Sequence, residues 1–210
     1  MTTLMLLFIG SVYLVNGLGL LDRIDPKSSA PLNLFVGAAL SAVTIALVIG
    51  FGDLEPEELS AAIINTIGYP LFAFTFLYVG ILNYSGHDGA GLGWYCGWST
   101  MISAGLAYAN WTITGNTASA LLWLVWTFVF LSFFVLMIGG LEKLQKLTGQ
   151  FIILAGFTTC IIPATMMILG KWDSDASGFV AFIELGTIAY YVVGAAITAL
   201  NAKKTAQKTS

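Results

Sequence analysis

Seven long apolar stretches follow one another along the chain, at roughly residues 3–21, 31–51, 62–83, 91–110, 118–139, 150–169 and 178–200. Each is close to the ~20 residues that an α-helix needs to cross the hydrocarbon layer of a bilayer. None shows the short alternation of apolar and polar residues that marks a transmembrane β-strand. The pattern predicts an all-α polytopic membrane protein with seven transmembrane helices.

The segments between these stretches are short, and they contain the turn residues and most of the charges. They read "DRIDPKSSAP", "GDLEPEE", "SGHDGAG", "TGNT", "EKLQKLTG" and "GKWDSDASG". None is long enough to form a soluble domain. We therefore expect one transmembrane domain over residues 1–200 and a basic tail over residues 201–210.

The lysines and arginines predict the orientation, because the cytoplasmic loops of membrane proteins are enriched in both residue types. If the seven stretches alternate in direction, only Lys171 falls on the side opposite to the C-terminus. The other seven basic residues are Arg23, Lys27, Lys143, Lys146, Lys203, Lys204 and Lys208. We expect the N-terminus outside and the C-terminus in the cytoplasm. Stretches 1–3 and 4–6 then cross in opposite senses, which is compatible with a 3+3 inverted repeat around a pore.

The composition supports a membrane location, since 58% of the 210 residues are hydrophobic and only 9% are charged. A soluble domain normally has about 25% charged residues. The net charge of −3 and the lack of a basic run argue against a nucleic-acid partner. Cys96 and Cys160 lie far apart in apolar stretches, so packing is the expected role of both. We predict neither a metal site nor a cofactor.

Glu184 is the only charged residue well inside an apolar stretch. It is a candidate proton site, because ionisable residues are costly in lipid and often mark ion pathways. The alternative, which the sequence favours, is a carboxyl near the membrane interface that stays neutral or reaches toward the headgroups. Both interpretations stay open at this point.

The stretches otherwise lack the side chains of intramembrane chemistry. No lysine is available for a Schiff base, and no histidine is available to activate a serine or cysteine nucleophile. No row of acidic residues indicates a proton relay or a cation pathway. We therefore predict no catalytic residues and no enzyme activity, and we expect any transported solute to be neutral.

Hydroxyl and amide groups inside the stretches suit a neutral solute that forms hydrogen bonds. The same groups can instead join helices to one another in lipid, and the sequence does not separate these two roles. The candidates are Asn16, Thr75, Tyr78, Asn83, Thr158 and Thr159.

The segment "LLWLVWTFVFLSFF" contains an aromatic stripe, because Trp123, Trp126, Phe130 and Phe133 are spaced by three, four and three residues. This spacing places the four rings on one face of a helix. Such a stripe is more often packing than the wall of a pore. From spacing alone, packing is the favoured interpretation.

Several quoted stretches together resemble one family, the urea and short-chain amide channels of bacteria (the UreI/AmiS family). They are "LLFIGSVYLVNG", "DPKSSAPLNLFVG", "FAFTFLY", "WLVWTFVFL" and "TTCIIPA", in this order. The resemblance covers the first six stretches. The best-known urea channels of the family end after six helices, so the seventh stretch makes this chain more similar to the amide-transporter branch. It implies a homo-oligomer, a hexameric ring, in the bacterial inner membrane.

The resemblance also implies which residues line a narrow path through each protomer. These are Ile9, Tyr13, Asn16, Phe74, Tyr78, Trp123, Trp126, Val129 and Phe130. A flat amide can slide along ring faces, whereas a hydrated ion cannot shed its water in such a slot. This changes the favoured interpretation of the aromatic stripe from packing to a pore wall.

The expected function is a passive channel for urea or small aliphatic amides such as acetamide, which supplies a cytoplasmic urease or amidase. One alternative is a proton-coupled transporter of small solutes that uses Glu184. Another is a noncatalytic membrane scaffold, in which the aromatic stripe only packs protomers together.

Two departures from the family pattern bear on solute and gating. Ala155 stands where the urea channels have a glutamate in the sixth helix, which puts a preference for urea in doubt. Acid-gated members use outward-facing histidines, which change charge between pH 5 and 8. The single histidine here, His87, falls in a loop assigned to the cytoplasm. We expect a channel that conducts at neutral pH without acid activation.

Overall fold

The computed structural model describes residues 2–208, and its described part is helical with short connections. The α-helices are α1 (Thr2–Leu20), α2 (Pro26–Ile49), α3 (Pro56–Thr66), α4 (Gly68–Ser85), α5 (Ala90–Thr112), α6 (Thr117–Met137), α7 (Gln145–Ala155), α8 (Ile162–Ile168) and α9 (Ser174–Lys208). A π-helical turn, Gly156–Ile161, joins α7 to α8. Short 3₁₀ turns cover Gly50–Asp53 and Glu142–Leu144.

Local capping residues fix several of the helix ends. The Asp25 side chain accepts a hydrogen bond from the backbone N–H of Lys27 at 2.7 Å, and a proline follows at the first position of α2. Asn116 caps α6 in the same way and accepts from the backbone N–H of Ser119 at 3.0 Å. Gly86 ends α4 with φ at 73°, a left-handed conformation that favours glycine.

Six helices within residues 2–208 are long and apolar enough to cross a membrane. They cover Thr3–Leu20, Pro26–Asp53, Pro56–Ser85, Thr117–Met137, Glu142–Ile168 and Ser174–Ala202. The remaining predicted stretch forms α5, whose 23 residues rise about 34 Å, enough to span the hydrocarbon layer. Its buried polar residues, which include Ser99, Ser103 and Asn110, make it less apolar than the six.

The acidic segment "GDLEPEE", which the sequence assigned to a loop, belongs partly to a helix. Pro56 occupies the first position of α3, and Glu57 and Glu58 lie in its first turn. Proline and acidic side chains both stabilise a helix N-terminus. The chain then passes through Ile67 into α4, so the third span begins earlier than its apolar residues indicate.

The sixth stretch is interrupted by the π-helical turn. Pro163 lacks the N–H that would continue a regular hydrogen-bond ladder, and single π turns accommodate such a break. The Thr159 hydroxyl donates to the Ala155 carbonyl at 2.7 Å, and the Thr158 hydroxyl donates to the Leu154 carbonyl at 3.1 Å. The turn therefore holds two threonine side chains in the middle of the bundle.

Glycines allow the closest helix approaches. A Cβ atom on Gly17 of α1 would lie 2.8 Å from the Gly149 carbonyl oxygen of α7, and one on Gly37 of α2 would lie 3.0 Å from the Ala73 carbonyl oxygen of α4. The most extensive pairings are α2 with α4, α5 with α6, and α1 with α7. An inverted repeat would pair α1 with α2 as closely as α5 with α6. The α1–α2 contact is much smaller, so the helix pairing does not support that expectation.

The last helix, α9, packs against α6, α7, the π-helical turn and α8. Its buried residues form one stripe, namely Ala176, Val180, Glu184, Thr187 and Tyr191. The helix extends through much of the predicted basic tail to Lys208. Residues 209 and 210 of that tail lie outside the described residues.

Candidate functional site: a passage between α1, α4 and α6

Three cavities adjoin one another along the bundle. The outer cavity, about 180 Å³, lies at the end where α1 begins, the side that the charge pattern assigns to the outside. The middle chamber has a volume of about 20 Å³, and the inner cavity, at the opposite end, has about 590 Å³. The middle chamber shares Asn16, Val79, Leu92 and Phe133 with the inner cavity and Phe72 with the outer cavity.

The same three helices line all three spaces. From the outer to the inner end, the lining residues of α1 are Met5, Leu6, Ile9, Tyr13, Asn16, Gly19 and Leu20. Those of α4 are Gly68, Tyr69, Phe72, Thr75, Phe76, Val79, Leu82 and Asn83. Those of α6 are Ser119, Leu122, Trp123, Trp126, Val129, Phe130, Phe133, Leu136 and Met137. Each set recurs at three- or four-residue steps, as expected for one face of a helix. One continuous face of each helix therefore follows a single line through the bundle.

A cluster of four aromatic rings separates the outer cavity from the middle chamber. This ring cluster consists of Phe72, Trp123, Trp126 and Phe130. The edge of one ring meets the face of the other in the Phe72–Trp126 pair, with centroids 4.6 Å apart, and Phe72 stacks on Phe130 at 5.4 Å. Each ring is at most 7% exposed. The passage is closed here by uncharged aromatic surface.

The π-helical turn holds one ring of this cluster. The Trp126 indole N–H donates to the Thr159 hydroxyl at 3.0 Å. Thr159 is fully buried, and its own hydroxyl proton is directed to the Ala155 carbonyl. A buried indole that lacked this acceptor would leave an unsatisfied donor. The irregular turn thus fixes the orientation of the tryptophan at the constriction.

The middle chamber is almost entirely apolar. Its lining contains no charged residue, and its volume is sufficient for roughly one water-sized group. The polar side chains that line it are Tyr13, Asn16 and Thr75, with the thiol of Cys96. A group that enters this chamber therefore contacts mainly apolar side chains.

The inner cavity is wider and more polar than the other two spaces. The amides of Asn16 and Asn33 are paired reciprocally, at 3.0 and 2.8 Å, and Asn33 also donates to the Ser29 carbonyl. The Asn83 amide donates to the Ser29 hydroxyl at 3.0 Å. The sequence did not single out Asn33, although its position one turn after Ser29 on α2 places both on the same face. Charged and titratable side chains complete the lining, namely Asp22, Arg23, Asp25 and His87.

Phe74 does not lie where the resemblance assigned it. Its ring is 57% exposed on the outside of the bundle, while Phe72 and Phe76 line the passage in its place. The residues two positions before and after Phe74 lie on a different face, because each residue turns an α-helix by about 100°. Tyr78 is also absent from the lining, and its hydroxyl packs against Gly91 of α5.

The other residues predicted to line the path adjoin it. Ile9, Trp123 and Trp126 line the outer cavity; Tyr13, Thr75, Val129 and Phe130 line the middle chamber; Asn16 lines the middle chamber and the inner cavity; and Asn83 lines the inner cavity. Thr158 and Thr159 do not line any of the three spaces. Thr159 supports Trp126 from behind, and Thr158 accepts a hydrogen bond from Thr187 of α9 at 3.2 Å.

Glu184 is fully buried between α9 and the rest of the bundle. Its relative exposure is 0%, and neither carboxyl oxygen has a hydrogen-bond partner among the described residues. This burial does not fit a side chain that reaches toward the headgroups. Glu184 also does not line any of the three cavities, so the described passage does not connect it to either end.

The passage offers a shape and hydrogen bonds rather than reactive groups. Within residues 2–208, no three His, Cys, Asp or Glu side chains lie close enough together to hold a metal ion. Aromatic faces at the constriction and amides beyond it can replace the water contacts of a neutral solute. These groups suit the binding of a neutral solute rather than a chemical reaction.

The comparison with known proteins agrees with this geometry. A family model described as "AmiS/UreI family transporter" matches residues 1–171. The chain belongs to this family. It is 34% identical over 170 residues to the proposed transporter protein AmiS2 of Rhodococcus erythropolis, with 80% of each chain covered. It is 32% identical to a proposed transporter of amidate substrates from Mycolicibacterium smegmatis, over 80% of this chain and 77% of that one.

The urea channel of Helicobacter pylori is similar in both sequence and structure. The acid-activated urea channel of this organism is 31% identical, and the match covers 82% of this chain and all of the relative. A closed-state structure of that channel superimposes with a TM-score of 0.73 at 26% identity, and a crystal structure superimposes with 0.68 at 27%. Helix α9 begins after the last residue that the family model matches.

Proposed function

We propose that this member of the AmiS/UreI family is a passive channel for urea and small aliphatic amides such as acetamide. The observation that carries the proposal is the line of three cavities between α1, α4 and α6, closed by uncharged rings. A carrier needs a site that alternates between two sides, whereas this arrangement is one narrow path with a constriction.

The physical mechanism is exchange of hydration for ring faces and a few hydrogen bonds. A planar amide can lie against the faces of Trp123, Trp126 and Phe72 as they move apart. A hydrated cation would lose its water shell without any compensating charge at the ring cluster. The constriction should therefore reject ions and pass neutral planar solutes.

The relatives support the solute class. One relative is named as a urea channel, and two others are named as proposed transporters, one of them of amidate substrates. We propose that the solute feeds a cytoplasmic urease or amidase. The polar inner cavity would then be the exit, where the solute regains hydrogen bonds before it reaches the cytoplasm.

We further propose seven membrane spans, with α5 as the fourth, the N-terminus outside and the C-terminus in the cytoplasm of a bacterial inner-membrane protein. Close packing between α5 and α6 supports a common membrane location for both helices. A homohexameric ring is the proposed assembly. Six separate paths, one for each protomer, would then cross the membrane.

A channel without acid activation is the proposed gating behaviour. The ring cluster and the middle chamber lack aspartate, glutamate, histidine and lysine in their lining. His87 lines only the inner cavity, on the side assigned to the cytoplasm. External acid would have no titratable group to act on at the constriction.

The buried carboxyl of Glu184 favours a second candidate function, a proton-coupled small-solute transporter. A buried group without partners is costly, and such groups are often kept for function. Because Glu184 lies away from the passage, coupling would need a rearrangement of α9. The passive channel needs no such step and remains the first proposal.

Stopped-flow swelling of proteoliposomes under inward gradients of urea and acetamide tests the channel. We expect flux well above that of empty liposomes, proportional to the gradient and insensitive to a protonophore. Val79→Trp, which would fill the junction of the middle chamber and the inner cavity, should reduce flux to background. Val48→Trp is the matched control, because Val48 is 49% exposed on α2, away from the passage. Wild-type flux equal to that of empty liposomes would contradict the proposal, and protonophore-sensitive, saturating flux would favour coupled transport.

A further inference from the structure

The middle chamber contains a hydroxyl group that no other group within residues 2–208 satisfies. The Tyr13 hydroxyl is buried and has no hydrogen-bond partner, although its side chain lines the chamber. The whole side chain is only 4% exposed. Buried hydroxyls are almost always paired, so an unpaired one at a cavity indicates a partner that enters from the cavity.

The surroundings of Tyr13 orient it without using its hydroxyl. Its ring meets Phe72 edge to face, with centroids 6.0 Å apart, and Phe76 in a similar geometry at 6.4 Å. Gly156 of the π-helical turn lies directly behind, where a Cβ atom would be 2.9 Å from the Tyr13 Cβ atom. These contacts are apolar, so they fix the ring and leave the O–H free.

A complementary acceptor lines the same chamber. The Thr75 hydroxyl donates its proton to the Leu71 carbonyl at 2.7 Å, so its oxygen is left as an acceptor. The Tyr95 hydroxyl donates to the same carbonyl at 3.0 Å. Toward its centre, the chamber therefore offers an unpaired donor on Tyr13 and an acceptor on Thr75, among mainly apolar side chains.

Asn16 extends this pattern one turn further along α1. Its amide is paired with Asn33, but Asn16 keeps one N–H and one carbonyl lone pair beyond that pair. Asn16 lines both the middle chamber and the inner cavity. The next hydrogen bonds after Tyr13 are therefore available where the passage widens.

We propose that the middle chamber is a carboxamide-selective site in which the Tyr13 hydroxyl donates a hydrogen bond to the carbonyl oxygen of the solute. The amide N–H groups of the same solute face the Thr75 oxygen or Asn16. The chemical class is a neutral molecule with a carbonyl acceptor and an adjacent N–H donor. The inference rests on the proposed channel function and adds a specificity-determining residue to it.

The chamber is too small for a whole amide, and its size restricts how a solute can bind there. Only one polar group of the solute fits at a time in the closed structure, with the remainder in the inner cavity. Tyr13 then acts in the smallest of the three spaces, where a lost hydrogen bond raises the barrier to passage. A hydrogen bond of this kind corresponds to roughly a 2- to 10-fold change in rate.

Tyr13→Phe tests the proposal, because it removes only the hydroxyl. We expect acetamide permeability to fall by roughly 2- to 10-fold. The permeability of thioacetamide, whose sulfur is the weaker acceptor, should change much less. Tyr84→Phe is the matched control, since Tyr84 is 76% exposed at the inner end of α4. Equal loss for both solutes, or no change for either, would overturn the assignment.

Thermal unfolding of Tyr13→Phe in detergent provides a readout that does not depend on transport. Removal of an unpaired buried hydroxyl should leave the melting temperature unchanged or higher in the absence of solute, and acetamide should stabilise the wild type more than the variant. A clearly lower melting temperature would mean that the hydroxyl has a partner within the protein, which would overturn the inference. If the wild type carries no flux at all, the channel proposal fails, and the melting curves still decide whether this hydroxyl is free.

Discussion

The ring cluster lies on α4 and α6, which also line the inner cavity, but the two regions differ in almost every physical property. The ring cluster is closed, uncharged and buried, and its single side-chain hydrogen bond joins Trp126 to Thr159. The inner cavity is about 590 Å³ and is lined by asparagines and by charged side chains such as Asp22 and Arg23. In the proposed channel, selection takes place where water is excluded, and the wide end collects or releases solute.

The first prediction places the same charge in the apolar middle chamber, next to the ring cluster, and in the inner cavity. Val129→Asp at the middle chamber should reduce flux by more than 10-fold or prevent folding, because a buried unpaired carboxylate costs several kcal/mol. Leu136→Asp, on the same face of α6 at the inner cavity, should keep at least about half of the wild-type flux, since water can solvate it. Yield, melting temperature and liposome flux check both variants. Equal damage in both would remove the contrast between a dry and a wet region.

The second prediction concerns the support of the ring cluster. Thr159→Val should leave the Trp126 N–H without an acceptor, which costs about 1–3 kcal/mol of unfolding free energy. In Thr127→Val, the control, the lost hydroxyl bonds only to the Trp123 carbonyl of its own helix. Denaturant unfolding and the flux ratio of acetamide to a larger amide would be compared. The support model is wrong if the two variants lose equal stability and keep the same flux ratio.

The third prediction uses pH to separate the two ends. Because the ring cluster has no titratable side chain in its lining, urea flux at external pH 5 and 7.5 should agree within about twofold. Liposomes with a fixed internal pH isolate the outer end, and His87→Gln isolates the inner end. A tenfold rise in external acid would contradict the account.

The smallest expected effect belongs to a residue outside both regions. Glu184→Gln should change passive flux by less than about twofold, because the carboxyl does not line the passage and glutamine preserves its shape. Glu184→Leu serves as the second variant, since it removes the polar group. Loss of accumulation against a gradient in the glutamine variant would instead support the proton-coupled alternative.

Much of this contrast follows from the sequence. The apolar stretches locate the helices, and the three- and four-residue spacing of rings in α6 gives the face that lines the passage. On α4, by contrast, the aromatic residues Phe72, Phe74 and Phe76 alternate, so their spacing does not define a helical phase. Only packing against α1 and α6 places Phe72 and Phe76, rather than Phe74, on the side of α4 that lines the passage. For that reason the assignment of Phe74 to the lining was wrong.

Other features depend on contacts that the chain pattern does not contain. The π-helical turn needs a break such as Pro163 together with a packing partner for Thr159, and a proline alone is also compatible with a kink. The burial of Glu184 depends on how α9 rotates against the bundle, which an apolar helix with one carboxyl does not specify. Asn33 was missed because its partner Asn16 lies on another helix.

The most direct test of the central claim is acetamide and butyramide flux through Trp126→Ala and Trp126→Phe in proteoliposomes, with the 62% exposed Trp111→Ala as control. If the ring cluster is the selective point, Trp126→Ala should lose at least about tenfold of its preference for the smaller amide while the oligomer stays intact. Trp126→Phe should show an intermediate loss, and the control none. Unchanged preference in an intact Trp126→Ala oligomer, or a loss of assembly alone, would show that the rings pack helices rather than select solutes.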